Sequence, residues 1–150
     1  MAKLLLLHGP NLNLLGEREP EIYGRTTLPE IETLVREKVE AAGHSCWTFQ
    51  SNSEGAMVDW LQQNRPADFL LINAGALTHS SLVIADAIAA VNLPFVEIQI
   101  SNVYRREAFR HHSVLAGSAV AVMAGFGVKG YDLATQFALD YFEKKAPGRR

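Results

Sequence analysis

Five apolar runs of strand length alternate with helix-patterned stretches along the chain, and this alternation limits the possible folds more than any other feature. The runs are Lys3 to His8, Ser45 to Gln50, Asp68 to Asn73, Phe95 to Ile100 and Ser118 to Ala124. All five read as buried, because strands covered on both faces need near-continuous apolar sequence. Helix signals fall between them with their caps. Thr27 and Glu30 form a capping-box pattern with Pro29 in the first turn. Gly43 is the stop, and Leu28, Ile31, Leu34, Val35 and Val39 make the inward stripe. Ser51 and Glu54 repeat the pattern ahead of Met57, Val58 and Leu61, and Asn64-Arg65-Pro66 ends that helix. A third helix is expected from Ser81 to Val91. A last one packs through Leu133, Phe137, Ala138, Tyr141 and Phe142.

Strand and helix in strict alternation impose right-handed crossovers, hence a parallel sheet covered on both faces. The expected fold class is therefore α/β, a flavodoxin-like three-layer domain whose five-stranded parallel sheet has the order 2-1-3-4-5. One domain over residues 1–150 accounts for the length, and 48% hydrophobic content suffices for one buried core. With 14 basic and 16 acidic residues the net charge is -2, which provides no field for nucleic acid or an acidic membrane surface. The single cysteine, Cys46, can form no internal disulfide, which fits a reducing, cytoplasmic setting. Leu4 to Leu7 is too short to span a bilayer, and no signal-peptide pattern opens the chain. Residues 145–150 are expected to form a frayed basic tail.

In doubly wound sheets, ligands bind beyond the carboxyl ends of the strands, beside the point where the strand order reverses. The first connection there, residues 9–25, far exceeds the roughly two to six residues usual for such loops, and loops of this kind are commonly lids. Asn11 and Asn13 offer side-chain donors, while Arg18 and Tyr23 could set a cation beside a phenol. A neighbouring guanidinium favours phenolate, which would make a base usable near neutrality; the other reading is a surface tyrosine with a solvated arginine. Strand 3 ends in Asn73-Ala74-Gly75-Ala76-Leu77-Thr78-His79, where Gly75 and its small neighbours admit a ligand to backbone amides, forming an anion seat. His79 is either part of that seat or a helix-start histidine with a local hydrogen bond. Glu97, Gln99 and Ser101 alternate along strand 4 and share one face, which either borders the site or is the wet face of an edge strand. Arg105, Arg106, Arg110, His111 and His112 follow. With no interleaved aromatic platform they fit carboxylate clamping better than nucleic acid. Their spacing completes no metal site, so neither a metal nor any other cofactor is expected. Gly125-Phe126-Gly127-Val128-Lys129-Gly130 matches a dinucleotide fingerprint, but no strand and no acidic residue follow in the required places, so it reads as a tight turn.

Taken together, these segments resemble the type II 3-dehydroquinate dehydratases. The likeness rests on Gly9-Pro10-Asn11-Leu12-Asn13-Leu14-Leu15-Gly16, Arg18-Glu19-Pro20 with Tyr23-Gly24, Gln50-Ser51-Asn52, Asn73 to His79, Ser101-Asn102-Val103, and Arg106-Glu107 with Phe109 to Ser113. The resemblance implies a metal-free anti-elimination of water from 3-dehydroquinate through an enolate, in shikimate synthesis or quinate breakdown. It also implies a homo-oligomer, trimeric and commonly dodecameric. Position by position, Tyr23 would be the base, with Arg18 lowering its pKa, and Asn11 would hold the enolate. Asn73, Ile100 and Ser101 would seat the carboxylate of this small anionic substrate, and His79 and Arg110 would bind ring hydroxyls. Arg106 matches without a defined role, and Asp86 would reach into a neighbouring subunit's site.

Two positions depart from the family pattern. Gln99 stands where a histidine after Glu97 would protonate the departing hydroxyl, and an amide does not titrate in the useful range. A positioned acid contributes roughly 100- to 10,000-fold. Ala85 stands where arginine commonly precedes the aspartate. The chain is thus expected to be a dehydratase, of reduced rate if nothing compensates for Gln99. The competing reading is a family member kept for ligand binding or assembly.

Overall fold

The computed structural model describes residues 1–145, so residues 146–150 of the expected tail lie outside the described residues. Five parallel strands, β1 (Lys3–His8), β2 (Ser45–Gln50), β3 (Phe69–Asn73), β4 (Phe95–Gln99) and β5 (Ala121–Ala124), form one sheet in the order β2-β1-β3-β4-β5, as the alternation predicts. Alternate strand residues serve opposite faces. Leu4, Leu6, Phe69, Leu71, Val96 and Ile98 pack with helices α2 (Leu28–Ala41) and α5 (Lys129–Lys145). Leu5, Leu7, Leu70, Ile72 and Phe95 pack with α3 (Glu54–Gln63) and α4 (Leu82–Val91). A short helix, α1 (Pro20–Tyr23), lies within the first long connection.

The caps follow from local chemistry. Thr27 Oγ1 accepts from the Glu30 amide, capping α2, and donates to the Glu30 carboxylate at 2.9 Å; the two expected residues thus pair through the hydroxyl, and the carboxylate does not take the N-cap amide that a full capping box would use. Gly43, at φ +87°, makes the turn that ends it. Ser81 caps α4 through the Ile84 amide at 3.0 Å and donates to Glu54 on α3, so one hydroxyl ties two helices. At α3 the cap is Ser53, not the expected Ser51: Ser51 Oγ instead accepts from the Ser53 amide at 3.0 Å, a local turn that delays the helix by two residues.

Four further expectations need correction. Only β3 is buried throughout; β1 and β4 each have one partly exposed end residue, and β2 and β5 are edges, with Trp47 54% and Val122 47% exposed. The fifth strand begins at Ala121, because Ala116–Ser118 coils into a 3-10 turn. Leu34 lies on the rim of α2, 40% exposed. The buried face of α5 is carried by Tyr131, Ala134, Thr135, Ala138 and Leu139, while Leu133 and Phe137 remain 37% and 39% exposed. Small alanines at the contact let α5 lie close to the sheet. The large residues Tyr141 and Phe142 then pack only partly, against Phe69. Among the described residues no helix is long and apolar enough to cross a membrane.

Candidate active site

The carboxyl ends of β1, β3 and β4 open into a cavity of about 140 Å³, where the strand-order rule places a ligand. The first connection supplies one wall through Pro10, Asn11, Leu12, Arg18 and Tyr23. Its shape is fixed locally. Asn11 adopts the left-handed conformation (φ 70°) ahead of a 3-10 turn at Leu12–Leu14, with its amide bonded to Asn52 at 3.0 Å. Leu12 and Leu15 anchor the segment in the core. Gln50 at the end of β2 braces it further, donating to the Gly9 carbonyl at 3.2 Å and to Asn13 at 3.4 Å.

Beyond β3, Asn73, Gly75, Ala76 and His79 form the floor. Gly75 sits at φ +60°, where a Cβ would meet the Pro10 carbonyl at 3.0 Å, so glycine is what allows loop and floor to approach this closely. His79 bonds through Nδ1 to the His112 carbonyl at 2.7 Å; that ring nitrogen therefore carries the proton, and Nε2 is left for other partners. Beyond β4 come Gln99, Ile100 and Ser101, then Val103, Arg106 and Arg110. The glycine turn identified in the sequence closes this side: the amides of Gly125 and Gly127 donate to the carbonyls of Gln99 and Ile100 at 3.3 and 3.0 Å.

The phenol of Tyr23 faces two guanidinium groups, arranged differently from the simplest sequence reading. Arg106 Nη1 donates to the phenol oxygen at 2.9 Å and to Ser101 Oγ at 3.2 Å. Arg18 instead lies over the ring, its Cζ 4.8 Å from the centroid, and pairs with Glu19 at 3.3 Å. Arg110 rests against Glu107 at 2.8 Å, a carboxylate held below its usual range by its own backbone amide and by Arg110.

Glu97 lies beneath this layer, 3% exposed and outside the cavity lining. Burial pushes its carboxyl pKa up, against the hydrogen bond from Ser113, the nearby His79 and a bond from Gln99. The Ser113 hydroxyl also accepts from the amides of Leu115 and Ala116, so its own hydrogen goes to Glu97. Gln99 Nε2 donates to Thr78 Oγ1 at 3.0 Å. Asp86 does not join the cavity; it lies exposed on α4. Unforeseen in the sequence were Thr78, Ser113, and a buried pair, His8 and Tyr131, whose side chains meet 123 residues apart. The only available signal was a polar residue ending an apolar strand, at His8.

The chain as a whole is similar to proteins of known sequence and structure. Residues 2–139 match the model of the family described as dehydroquinase class II. The 3-dehydroquinate dehydratase of Janthinobacterium sp. (strain Marseille) is 56% identical over 142 residues, covering 93% of this chain and 98% of that one. The crystal structures of type II dehydroquinase from Propionibacterium acnes and from Butyrivibrio crossotus DSM 2876 superpose with TM-scores of 0.87 and 0.88. Their identities are 37% and 39%, and in both cases the match spans 93% of this chain and 97% of the other. By sequence and by fold, this chain belongs to the dehydroquinase class II family.

Proposed function

We propose that this chain dehydrates 3-dehydroquinate to 3-dehydroshikimate by anti-elimination. The observation that carries the reading is that Tyr23 and Arg18 line the same cavity as Asn73, Ser101 and Arg110, with the Tyr23 oxygen bonded to Arg106. A base and an anion seat are thereby held in one small space, as proton abstraction beside a ketone requires. Tyr23, as phenolate, takes the proton next to the carbonyl, and the C–H electrons move onto the carbonyl oxygen as an enolate. The bond from the always-charged Arg106 guanidinium is strongest when its acceptor is the phenolate, so it favours the basic form of Tyr23. Asn11 steadies the enolate, worth most where water is excluded. Asn73 and the amides of Ile100 and Ser101 hold the carboxylate, and His79 and Arg110 hold the ring hydroxyls. The enolate then collapses, the carbon–carbon double bond forms and the C–O bond breaks; the departing hydroxide takes a proton from solvent water, and Tyr23 returns the proton it took to solvent.

Residues 9–25 act in this scheme as the lid of a single catalytic domain, carrying the base to the substrate. The working form is a homo-oligomer, a trimer assembling to a dodecamer, in which Asp86 serves a neighbouring site. Support comes from Leu82 and Val83, 66% and 53% exposed on the same helix as Asp86, since such apolar residues favour a covered surface. A cytoplasmic setting fits the lone, buried Cys46, whose thiol burial pushes up to about 11.

The second reading, a ligand-binding member with blunted chemistry, is favoured by Gln99, whose amide is docked on Thr78 and titrates nowhere useful. Mixing the protein with 3-dehydroquinate and following enone absorbance separates the two. Turnover that disappears in Tyr23→Phe supports the dehydratase, whereas binding of a planar-ring analogue with background turnover supports the alternative.

A further inference from the structure

His8 and Asn73 end neighbouring strands and are register partners, and strand alternation turns both side chains to the face covered by α5. Tyr131, in the first turn of α5 and fully buried, sits between them. Its hydroxyl oxygen is 2.9 Å from Asn73 Nδ2 and 3.0 Å from His8 Nε2. On its other side the Asn73 amide oxygen accepts from the Gly75 amide at 3.1 Å.

We propose that Tyr131 and His8 are positioning residues for the cavity, holding the Asn73 amide in one orientation so that Asn73 meets an anionic ligand as a hydrogen-bond donor. The inference rests on the reading of Asn73 as part of the anion seat. A phenol has a single hydrogen. Since Asn73 Nδ2 donates to the phenol oxygen, the phenol's own hydrogen goes to His8 Nε2. Burial keeps His8 neutral at ordinary pH, so Nε2 is free to accept and the ring proton sits on Nδ1. With the phenol's hydrogen committed to His8, only the nitrogen side of the amide suits that hydroxyl, and only the oxygen side suits the Gly75 amide. Turning the amide over would set two donors against each other at Gly75. One Asn73 Nδ2 hydrogen thus remains for the cavity that Asn73 lines. Among the described residues His8 Nδ1 has no hydrogen-bond partner.

The test uses Tyr131→Phe, which keeps the ring and removes the hydroxyl. The expected result is a KM for 3-dehydroquinate raised about tenfold with kcat within about twofold, because a carboxylate seat is used equally in ground and transition states. In an Asn73→Ala background the same replacement should change KM less than about twofold. A merely structural role would lower the thermal midpoint and the active fraction but leave KM alone. An unchanged KM, or effects that add, would overturn the proposal. Nitrogen NMR of the unsubstituted protein gives an independent arm. His8 should show the neutral tautomer protonated on Nδ1, and the Asn73 side-chain amide should exchange slowly with solvent; the opposite tautomer, or fast exchange, would overturn it. If the unsubstituted protein turns over no 3-dehydroquinate, the dehydratase reading fails, while the NMR arm still decides whether Asn73 is held.

Discussion

At the residue scale, Gln99 already has both of its amide hydrogens engaged. One amide hydrogen goes to Thr78 and a further bond reaches Glu97, so what Gln99 can offer the cavity is an acceptor oxygen. An acceptor can receive a hydrogen bond from a departing hydroxyl but cannot supply its proton. Replacing it by an imidazole over Glu97 would restore a titrating donor beside a carboxyl, so Gln99→His should raise kcat at least about tenfold in the enone assay. An unchanged rate would mean that another group already supplies the proton. The two arginines at Tyr23 should also separate. Hydrogen bonds to charged groups are worth about 1.5–3 kcal/mol, so Arg106→Leu should lower kcat/KM by about 10- to 100-fold. Arg18→Leu, which removes a cation over the ring face rather than one at the oxygen, should cost less. Equal losses would show that distance to the phenol oxygen does not set their roles.

Helix starts illustrate what governs the elements and how well each was legible. Ser81→Ala removes the cap at Ile84 and the bond to Glu54, and should lower unfolding free energy by about 0.5–2 kcal/mol in urea titrations. A midpoint unchanged within error would mean that water replaces both bonds without cost. Such caps could be read directly, as could the strand order and the residues beyond β1, β3 and β4, because they depend on neighbours in sequence and on the parity of a strand. The rest depended on a competing local turn at α3 and otherwise on distant partners. Ser53 displaced Ser51 as a cap because Ser51 spends its hydroxyl on a turn. The face of α5 turned away from Leu133 because Tyr131 enters the core toward His8 and Asn73, and nothing within the helix's own sequence announces that contact. Ser113 under Glu97 and Arg106 against Tyr23 were hidden for the same reason, the latter pair being 83 residues apart.

For the whole molecule, the buried groups under the site link its stability to pH. Desolvation holds His8 down to about 3, against 6.5 for an exposed imidazole. Between those values the unfolded chain binds a proton that the native state refuses, so stability falls as pH falls, with a slope of up to about 1.4 kcal/mol per pH unit. Glu97 acts in the opposite sense. Its native pKa is raised above 4.5, so from there upward the native state holds the extra proton and stability falls as pH rises toward the raised value. The two slopes oppose each other above about pH 4.5, and below it the His8 slope stands without that opposition. Asp132, held down to about 2 by Lys129 and Lys38, adds to acid sensitivity only below its unfolded value of 3.8. The steepest net loss of stability is therefore expected near pH 4, with a shallower stretch above it. His8→Gln keeps a side chain able to accept from Tyr131 but cannot titrate. Urea midpoints followed from pH 7 to pH 3.5 should decline less steeply in this variant than in the parent between about pH 6 and pH 3.5, by close to one proton's worth of slope, since the Glu97 contribution is common to both. Parallel curves would show that His8 is protonated in the native state without penalty, and that the cluster beneath the cavity is open to water.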